Sequence, residues 1–313
     1  MTNRPNRIKI LLGPSTFGAF DSAPLDRLRE AGYEPIANPY KRKITKEELL
    51  ELLQDDVEGL IAGLETLDHE VMSKSRLKVI SRCGAGMSNV DLKSAKQLDI
   101  TICNTPEAPT NAVAELTIGC LLSLLRRISV MDRDLHNQQW NKQIGGQLQG
   151  KTVLIIGFGR IGKRLCKLLV PFDVHIIVVD PFVQKIDEPF KLFELKEALP
   201  LADIITLHCS GEECLLSDQE FGLMKKGALL LNAARGSLVD EEALIKVLAS
   251  GHISGVWIDT FDQEPYSGEL VKYPQALLTP HVGSYTAETR ALMEMEAVNN
   301  LIMAFERAGS NAR

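Results

Sequence analysis

Several familiar signatures are scarce in this chain, and each scarcity excludes a class. The 313 residues carry 35 Lys and Arg against 41 Asp and Glu, a net charge of −6. No basic run stands out beyond residues 41–43, so binding driven by neutralising nucleic-acid phosphates is not expected. The six cysteines (Cys83, Cys103, Cys120, Cys166, Cys209, Cys214) show no CxxC pairing and no paired-histidine metal spacing. That usage excludes a disulfide framework, implies no metal site and fits reduced thiols in a cytoplasmic protein. Long apolar runs are also missing. The amino-terminal MTNRPNRIKILLG has too short an apolar segment for a signal peptide, and the longest run, 116–125, is interrupted by Thr117 and Ser123. It is too short to span a bilayer, so no membrane association is expected.

The most informative stretch runs from Lys151 to Asp180, KTVLIIGFGRIGKRLCKLLVPFDVHIIVVD. It reads as a strand (152–156), a turn with Gly157, Gly159 and Gly162, an amphipathic helix, and a second strand (174–179) ending in an acid. The helix sets Ile161, Leu165, Leu168 and Leu169 on one stripe and stops before Pro171, while the strands are continuously apolar, as a sheet covered on both faces requires. This is the pattern of a dinucleotide-binding βαβ unit. Gly157 permits the tight turn, Gly159 lets a pyrophosphate approach the backbone, and Gly162 lets helix and strand pack closely. Asp180 would accept hydrogen bonds from the adenosine ribose and repel a 2′-phosphate, which favours NAD over NADP.

Strands expected at 8–12, 33–37, 59–62, 77–81 and 100–103 alternate with helices such as 46–53, opened by a capping box at Thr45 and Glu48. This predicts a flavodoxin-like α/β domain. Pro106 and Pro109 then interrupt the chain, marking a hinge, with a long helix expected from Thr110 or Asn111. Further strands are expected at 204–207, 228–231, 255–258 and 276–279, with helices near 218–224 and 241–250, giving a Rossmann sheet of six or more strands. The last helix, 287–308, should bury Leu292, Met295, Val298, Leu301, Ile302 and Phe305. It should return to the first domain. The expected architecture is therefore two Rossmann-like domains: a doubly wound NAD-binding domain (104–284) inserted in a discontinuous substrate domain (1–103 and 285–313), with the cleft between them.

Ligands of such sheets bind beyond the carboxyl ends of the strands. There stand Arg235, Asp259, Glu264 and His281. Their chemistry is coherent as hydride transfer at the carbinol carbon of a 2-hydroxy acid. An imidazole with a reference pKa near 6.5 can take the hydroxyl proton or return it. Glu264 would fix the tautomer of His281, Arg235 would bind the substrate carboxylate and carbonyl oxygen, and Asp259 would hold the nicotinamide carboxamide. Gly84, Ala85 and Gly86, after a strand, would offer backbone N–H groups to a carboxylate.

These residues, together with SRCGAGMSNVDL (81–92), NTPEAPTNAVAELT (104–117), GKTVLIIGFGRIG (150–162), NAARGSLVDEEAL (232–244), GVWIDTFDQEP (255–265) and LTPHVGS (278–284), resemble the D-isomer-specific 2-hydroxyacid dehydrogenases along nearly the whole chain. The resemblance implies a catalytic set of Arg235, Glu264 and His281, substrate binding by Gly84–Gly86, and cofactor contacts that also include Arg160, Ile161, His208, Ala233 and Gly283. It further implies an NAD-dependent enzyme acting on a small D-2-hydroxy or 2-oxo acid of the 3-phosphoglycerate, glyoxylate or hydroxypyruvate type. A homodimer, with the 111–127 helix in its interface, is implied as well. An NAD(H)-sensing regulatory protein is the alternative on the same fold. The chain departs from the family at three places. Ser88 stands where an aspartate is common, residues 208–213 (HCSGEE) replace His-x-Pro and a threonine-rich loop, and residues 62–66 (AGLET) lack the arginine that phosphoglycerate dehydrogenases carry there. Formate dehydrogenases have glutamine where Glu264 stands.

Overall fold

The computed structural model describes residues 7–54, 56–87, 89–186, 189–211 and 213–311, with side chains to 307. Ser88 and Glu212, where two of the departures fall, lie outside them. The chain divides into two compact units, Met1–Pro109 with Ser284–Arg313, and Thr110–Gly283.

The first unit alternates β1 (Lys9–Leu12), α1 (Ala23–Glu30), β2 (Glu34–Ala37), α2 (Lys46–Leu52), β3 (Val57–Ala62), α3 (His69–Ser73), β4 (Val79–Arg82), α4 (Leu92–Gln97) and β5 (Thr101–Asn104). All strands are parallel, in the order β2-β1-β3-β4-β5, which is the flavodoxin-like order. Alternate residues of each strand feed separate cores: Leu11, Leu60 and Ile80 pack on one face, and Ile10, Ile61 and Val79 on the other. That is why β1, β3 and β4 carry consecutive apolar residues at 10–12, 60–62 and 79–80. The Thr45–Glu48 capping box opens α2.

In the second unit α5 (Pro109–Arg126) and α6 (Ile128–His136) precede β6 (Thr152–Ile156), α7 (Arg160–Leu169), β7 (His175–Val179), β8 (Lys191–Leu192), α8 (Leu195–Ala198), β9 (Ile204–Leu207), α9 (Asp218–Leu223), β10 (Ala228–Asn232), α10 (Glu241–Ala249), β11 (Ile253–Ile258) and β12 (Ala276–Leu278). They form a seven-stranded parallel sheet, β12-β11-β10-β9-β6-β7-β8. Leu154 and Ile156 point to one core and Val153 and Ile155 to the other. Helix α5 begins at Pro109 rather than Thr110 because a first-turn position needs no N–H donor and proline's φ is already helical.

Helix α11 (Ala287–Asn311) packs on the first sheet, where Ser81 Oγ donates to Ala297 O at 2.8 Å and Asn300 Nδ2 to Asn104 O at 3.0 Å. It buries Val298, Leu301, Ile302 and Phe305 as expected, but not the other two residues. Leu292 is exposed and Met295 only half-buried, while Met293, Ala297, Leu301 and Phe305, spaced four apart, lead the buried stripe. Glu294 is also buried, paired with Arg290 Nη2 at 2.9 Å.

Candidate active site

The glycine turn combines two packed glycines with one left open. Gly157 has φ +99°, and a Cβ there would meet Cys209 N at 2.5 Å and His208 C at 2.6 Å; a Cβ on Gly162 would lie 2.0 Å from Gly157 O. Protein packing thus demands both glycines. Gly159 differs, because a Cβ there meets nothing within 4 Å. The space over Gly159 is open to a ligand, and Gly159 is the N-cap of α7, with no side chain closing that helix end. Lys163 sits over the Phe158 ring at 5.4 Å in the same first turn. Arg160 and Ile161 begin α7, so these residues fit a dinucleotide phosphate. Asp180 follows β7, and its two oxygens accept the Phe158 and Phe182 N–H groups at 2.7 and 2.9 Å. It therefore ties the turn to the strand end, and each oxygen keeps a lone pair for a ribose hydroxyl.

The carboxyl ends of β10, β11 and β12 carry the candidate chemistry. His281 Nδ1 lies 3.0 and 3.1 Å from the two oxygens of Glu264. Both side chains are partly exposed, at 40% and 34%. Glu264 Oε1 also accepts the Phe261 N–H at 3.0 Å, which closes its own loop. Arg235 lies in the turn after β10, where its Nη1 donates to Ala234 O at 2.7 Å. Gly236 brings the two loops together: a Cβ there would meet Asp262 N and Phe261 C at 2.1 Å. Fully buried Asn232 holds the Arg235 turn, accepting from Ala234 N at 3.0 Å and donating to Arg235 O at 2.8 Å. Ala233 lies within that turn.

Asp259 is 1% exposed, and both its carboxylate oxygens face the His281 loop. Oδ1 accepts from Thr279 Oγ1 at 2.6 Å and Val282 N at 2.9 Å, Oδ2 accepts from Gly283 N at 2.9 Å, and Asp259 O accepts the His281 N–H at 2.8 Å. Thr279 Oγ1 accepts in turn from the Nε1–H of fully buried Trp257 at 2.9 Å. His281 needs this support, since its φ of +52° is left-handed and it has a Cβ. Asp259, for which a carboxamide contact was expected, is seen here anchoring the His281 loop, a task that the sequence did not reveal. Asn232, Trp257 and Thr279 were missed as well. A polar residue directly at a strand end was the available signal for Asn232 and Thr279.

His208, just past β9, has Nε2 2.9 Å from Thr206 Oγ1 and a buried Nδ1 with no hydrogen-bond partner. Burial pushes its imidazole down to about 4, so it is neutral at physiological pH.

In the first unit Gly84 has φ +146°, and its N–H donates to buried Thr105 Oγ1 at 2.7 Å. This corrects the expectation that all three loop amides face a ligand: the Gly84 amide is spent inside the protein. Among the described residues the amides of Ala85 and Gly86 have no protein acceptor. Also among the described residues, no group of three or more His, Cys, Asp or Glu is arranged to hold a metal. No helix there is long and apolar enough to cross a membrane.

Residues 118–283 match the family model described as D-isomer specific 2-hydroxyacid dehydrogenase, NAD binding domain. A glyoxylate reductase of Thermofilum pendens is 36% identical over 274 residues, covering 82% of this chain and 81% of that one. The chain belongs to the D-isomer-specific 2-hydroxyacid dehydrogenase family. It is accordingly an NAD-dependent oxidoreductase that transfers a hydride to or from a 2-hydroxy acid carbon. A D-3-phosphoglycerate dehydrogenase of Sus scrofa is 33% identical over 297 residues, 91% of this dehydrogenase but only 54% of the longer relative. Among solved structures, a glyoxylate reductase from Paecilomyes thermophila superposes with a TM-score of 0.86 at 28% identity, covering 97% of each chain.

Proposed function

We propose that this dehydrogenase interconverts a small 2-oxo acid of the glyoxylate or hydroxypyruvate type with its D-2-hydroxy acid, using His281 as acid and base. The observation that carries this reading is the His281–Glu264 pair, with both carboxylate oxygens within 3.1 Å of Nδ1. With Nδ1 engaged by Glu264, Nε2 is the nitrogen left for the substrate oxygen. In reduction Nε2–H gives its proton to the oxygen as the carbonyl becomes an alcohol; in oxidation neutral Nε2 takes the hydroxyl proton. Glu264 holds the tautomer and offsets the charge that His281 gains. Arg235 offers a planar fork to the substrate carboxylate and carbonyl oxygen, and the amides of Ala85 and Gly86 are donors suited to a carboxylate. The turn of Gly157, Gly159, Arg160, Ile161 and Gly162 holds the pyrophosphate, Asp180 the adenosine ribose, and His208, Ala233, Asp259 and Gly283 border the rest of the cofactor. Bound NAD supplies the hydride acceptor for oxidation, and its reduced form the donor for reduction.

A homodimer is part of this proposal. Helix α5 buries Ala114, Cys120, Leu121 and Leu125 within its own unit, but the segment after it leaves Ile128, Leu135, Trp140 and Ile144 exposed, the last two at 79% and 95%. Apolar side chains so concentrated suit a second copy. The six free cysteines suit a reducing, cytoplasmic setting. The test is nicotinamide absorbance during incubation with a panel of 2-oxo acids, using the wild type and His281→Ala. The variant should lose most turnover while keeping its affinity for NADH. Near-normal kcat in His281→Ala would remove that residue from the role, and tight NADH binding without turnover of any acid would defeat the assignment of substrate.

A further inference from the structure

Residues 262–265, which include Glu264, form the exposed tip of the loop after β11. An exposed tip keeps a carboxylate in register with an imidazole only if its base is fixed. The base here is an aromatic pair. Phe261 and Tyr266, which flank the tip, stack with ring centroids 4.2 Å apart and planes 22° from parallel, and both pack against the apolar core on one face of the second sheet. Since Phe261 also gives its N–H to Glu264 Oε1 at 3.0 Å, one member of the pair touches the Glu264 carboxylate directly.

The other member is tied down through its hydroxyl. Tyr266 Oη donates to Glu241 Oε1 at 2.7 Å and accepts the Leu270 N–H at 3.1 Å. Glu241 is the first residue of α10, and Leu270 is 2% exposed in the same core. One phenol oxygen therefore joins the Glu264 loop to the start of a helix and to the buried chain beyond it. A Cβ on Gly268 would press on the Tyr266 ring and hydroxyl, so the chain closes tightly around that oxygen. Burial and the bond to Glu241 push the phenol up to about 12, which keeps it a donor at any working pH. The charged groups facing it are Glu241 and Glu269. His281 in turn meets Glu264 through Nδ1 and Asp259 through its N–H.

We propose that Tyr266 is a positioning residue for the reaction: anchored on Glu241, it sets the loop so that the Glu264 carboxylate stays against His281 Nδ1. This rests on the reading of His281 as acid and base. Without the anchor the aromatic pair slides over the core, and Glu264 follows it through the Phe261 N–H. The imidazolium then loses part of the negative charge that offsets its own, which lowers its pKa. Misplacing a reacting group by about 1 Å can cost about a hundredfold in rate. The pyrophosphate turn is not involved, because β10 and β9 separate β11 from β6 in the sheet. Tyr266 thus acts on the proton transfer and not on cofactor binding.

The experiment is the pH dependence of kcat for reduction of glyoxylate or hydroxypyruvate by NADH, in the full-length protein. Reduction needs protonated His281, so kcat falls as pH rises through the pKa of the bound complex. Tyr266→Phe keeps the ring and its stack but loses the anchor. It should move that midpoint down by about one pH unit, and so lower kcat about tenfold on the alkaline side, while the KM for NADH stays nearly constant. Glu241→Ala leaves both rings in place and should reproduce the shift, whereas Glu241→Gln, which keeps an acceptor for the phenol, should retain the wild-type profile. The double variant Tyr266→Phe with Glu241→Ala should shift no further than either alone. An unmoved midpoint in Tyr266→Phe, even with a lowered Tm, would overturn the role of Tyr266 alone, and summed shifts in the double variant would overturn its anchoring by Glu241. A wild type whose kcat shows no such fall, or a His281→Ala variant that keeps it, would overturn the reading on which this rests, and the inference with it.

Discussion

Replacing Thr279 by valine removes one oxygen and nothing else of consequence, yet it should cost this enzyme both stability and turnover. The Thr279 hydroxyl donates to Asp259 Oδ1 at 2.6 Å and accepts from Trp257 Nε1 at 2.9 Å. Valine keeps the shape and loses both bonds. A hydrogen bond to a charged acceptor contributes about 1.5–3 kcal/mol, and a buried N–H left without a partner costs about 1–3 kcal/mol. Since Asp259 keeps its bonds from Val282 and Gly283, the lower halves of these ranges apply, and about 2–4 kcal/mol is expected. For a unit of this size that lowers Tm by roughly 4–16 °C. The kinetic consequence follows from the backbone of His281, whose left-handed φ of +52° is held by its own N–H to Asp259 O. A slackened Asp259 lets His281 relax toward common φ values, which moves Nε2 and should lower kcat about tenfold or more while the KM for NADH stays nearly constant. Thermal unfolding and steady-state reduction of a 2-oxo acid at 25 °C measure the two effects, and Thr279→Ser, which restores the hydroxyl, should recover both. A valine variant with lowered Tm but full kcat would show that the network stabilises the unit without positioning His281. An unshifted Tm would refute the energetic argument itself.

Asp180→Ala should raise the KM for NAD roughly tenfold and narrow the preference for NAD over NADP, because it removes both the ribose acceptor and the bonds to the Phe158 and Phe182 amides; an unchanged NAD to NADP ratio would show that Asp180 does not select the ribose. His208 should give the protein a pH-dependent stability. Its imidazole is pushed down to about 4 by burial, so below its unfolded value near 6.5 the unfolded chain binds the extra proton. The contribution is then complete above pH 6.5 and lost as pH falls toward 4, by at most about 3 kcal/mol. Urea titrations from pH 4.5 to 7 on the wild type and His208→Gln measure it, and equal slopes in the two would reject the assignment. Gly236→Ala should lower kcat, since a Cβ 2.1 Å from Asp262 N and Phe261 C must push the Glu264 loop away from Arg235. The overpacking should cost about 1–3 kcal/mol, and full activity in Gly236→Ala would mean that the loops yield elsewhere.

What was legible in the sequence was local or periodic. The strands that flank both sheet reversals each carry a run of consecutive apolar residues, and the Thr45 capping box is a four-residue pattern, so both could be read before any tertiary contact was known. Strand β8, by contrast, is two exposed residues, Lys191 and Leu192, held in register only by β7. No periodicity can announce a pair of exposed residues. The break between α5 and α6 is a left-handed Arg127, φ +52°, a residue type with no preference for that conformation. Likewise, the rule that ligands gather at carboxyl ends of strands found Arg235, Glu264 and His281, but not what orients them. The Thr279–Asp259 bond spans 20 residues and the Gly84–Thr105 bond 21. In α11 the stripe predicted Val298, Leu301, Ile302 and Phe305 correctly but not the burial of Glu294, which pairs with Arg290 at 2.9 Å and accepts the Gly18 N–H at 2.8 Å. A hydrophobic stripe gives no warning of a buried ion pair.

The two units show how one topology serves different ends through the glycines at its reversal. In the second sheet the reversal falls between β6 and β9. Gly157 after β6 abuts His208 and Cys209 after β9 so closely that no side chain fits, and the space over Gly159 stays open. In the first sheet Gly13 and Gly63 flank the equivalent point, and the room they leave is taken by the Glu65 carboxylate. A crevice filled by a buried side chain has no room for a phosphate, whereas one floored by amides and a helix N-terminus attracts it. Dinucleotide binding therefore belongs to the second unit alone, although both sheets have the reversal that could have supported it. The first unit is left with the loop beside β4, where the amides of Ala85 and Gly86 have no protein acceptor among the described residues. The difference lies in what occupies each crevice, and a carboxylate two residues beyond a strand's closing glycine is enough to make it.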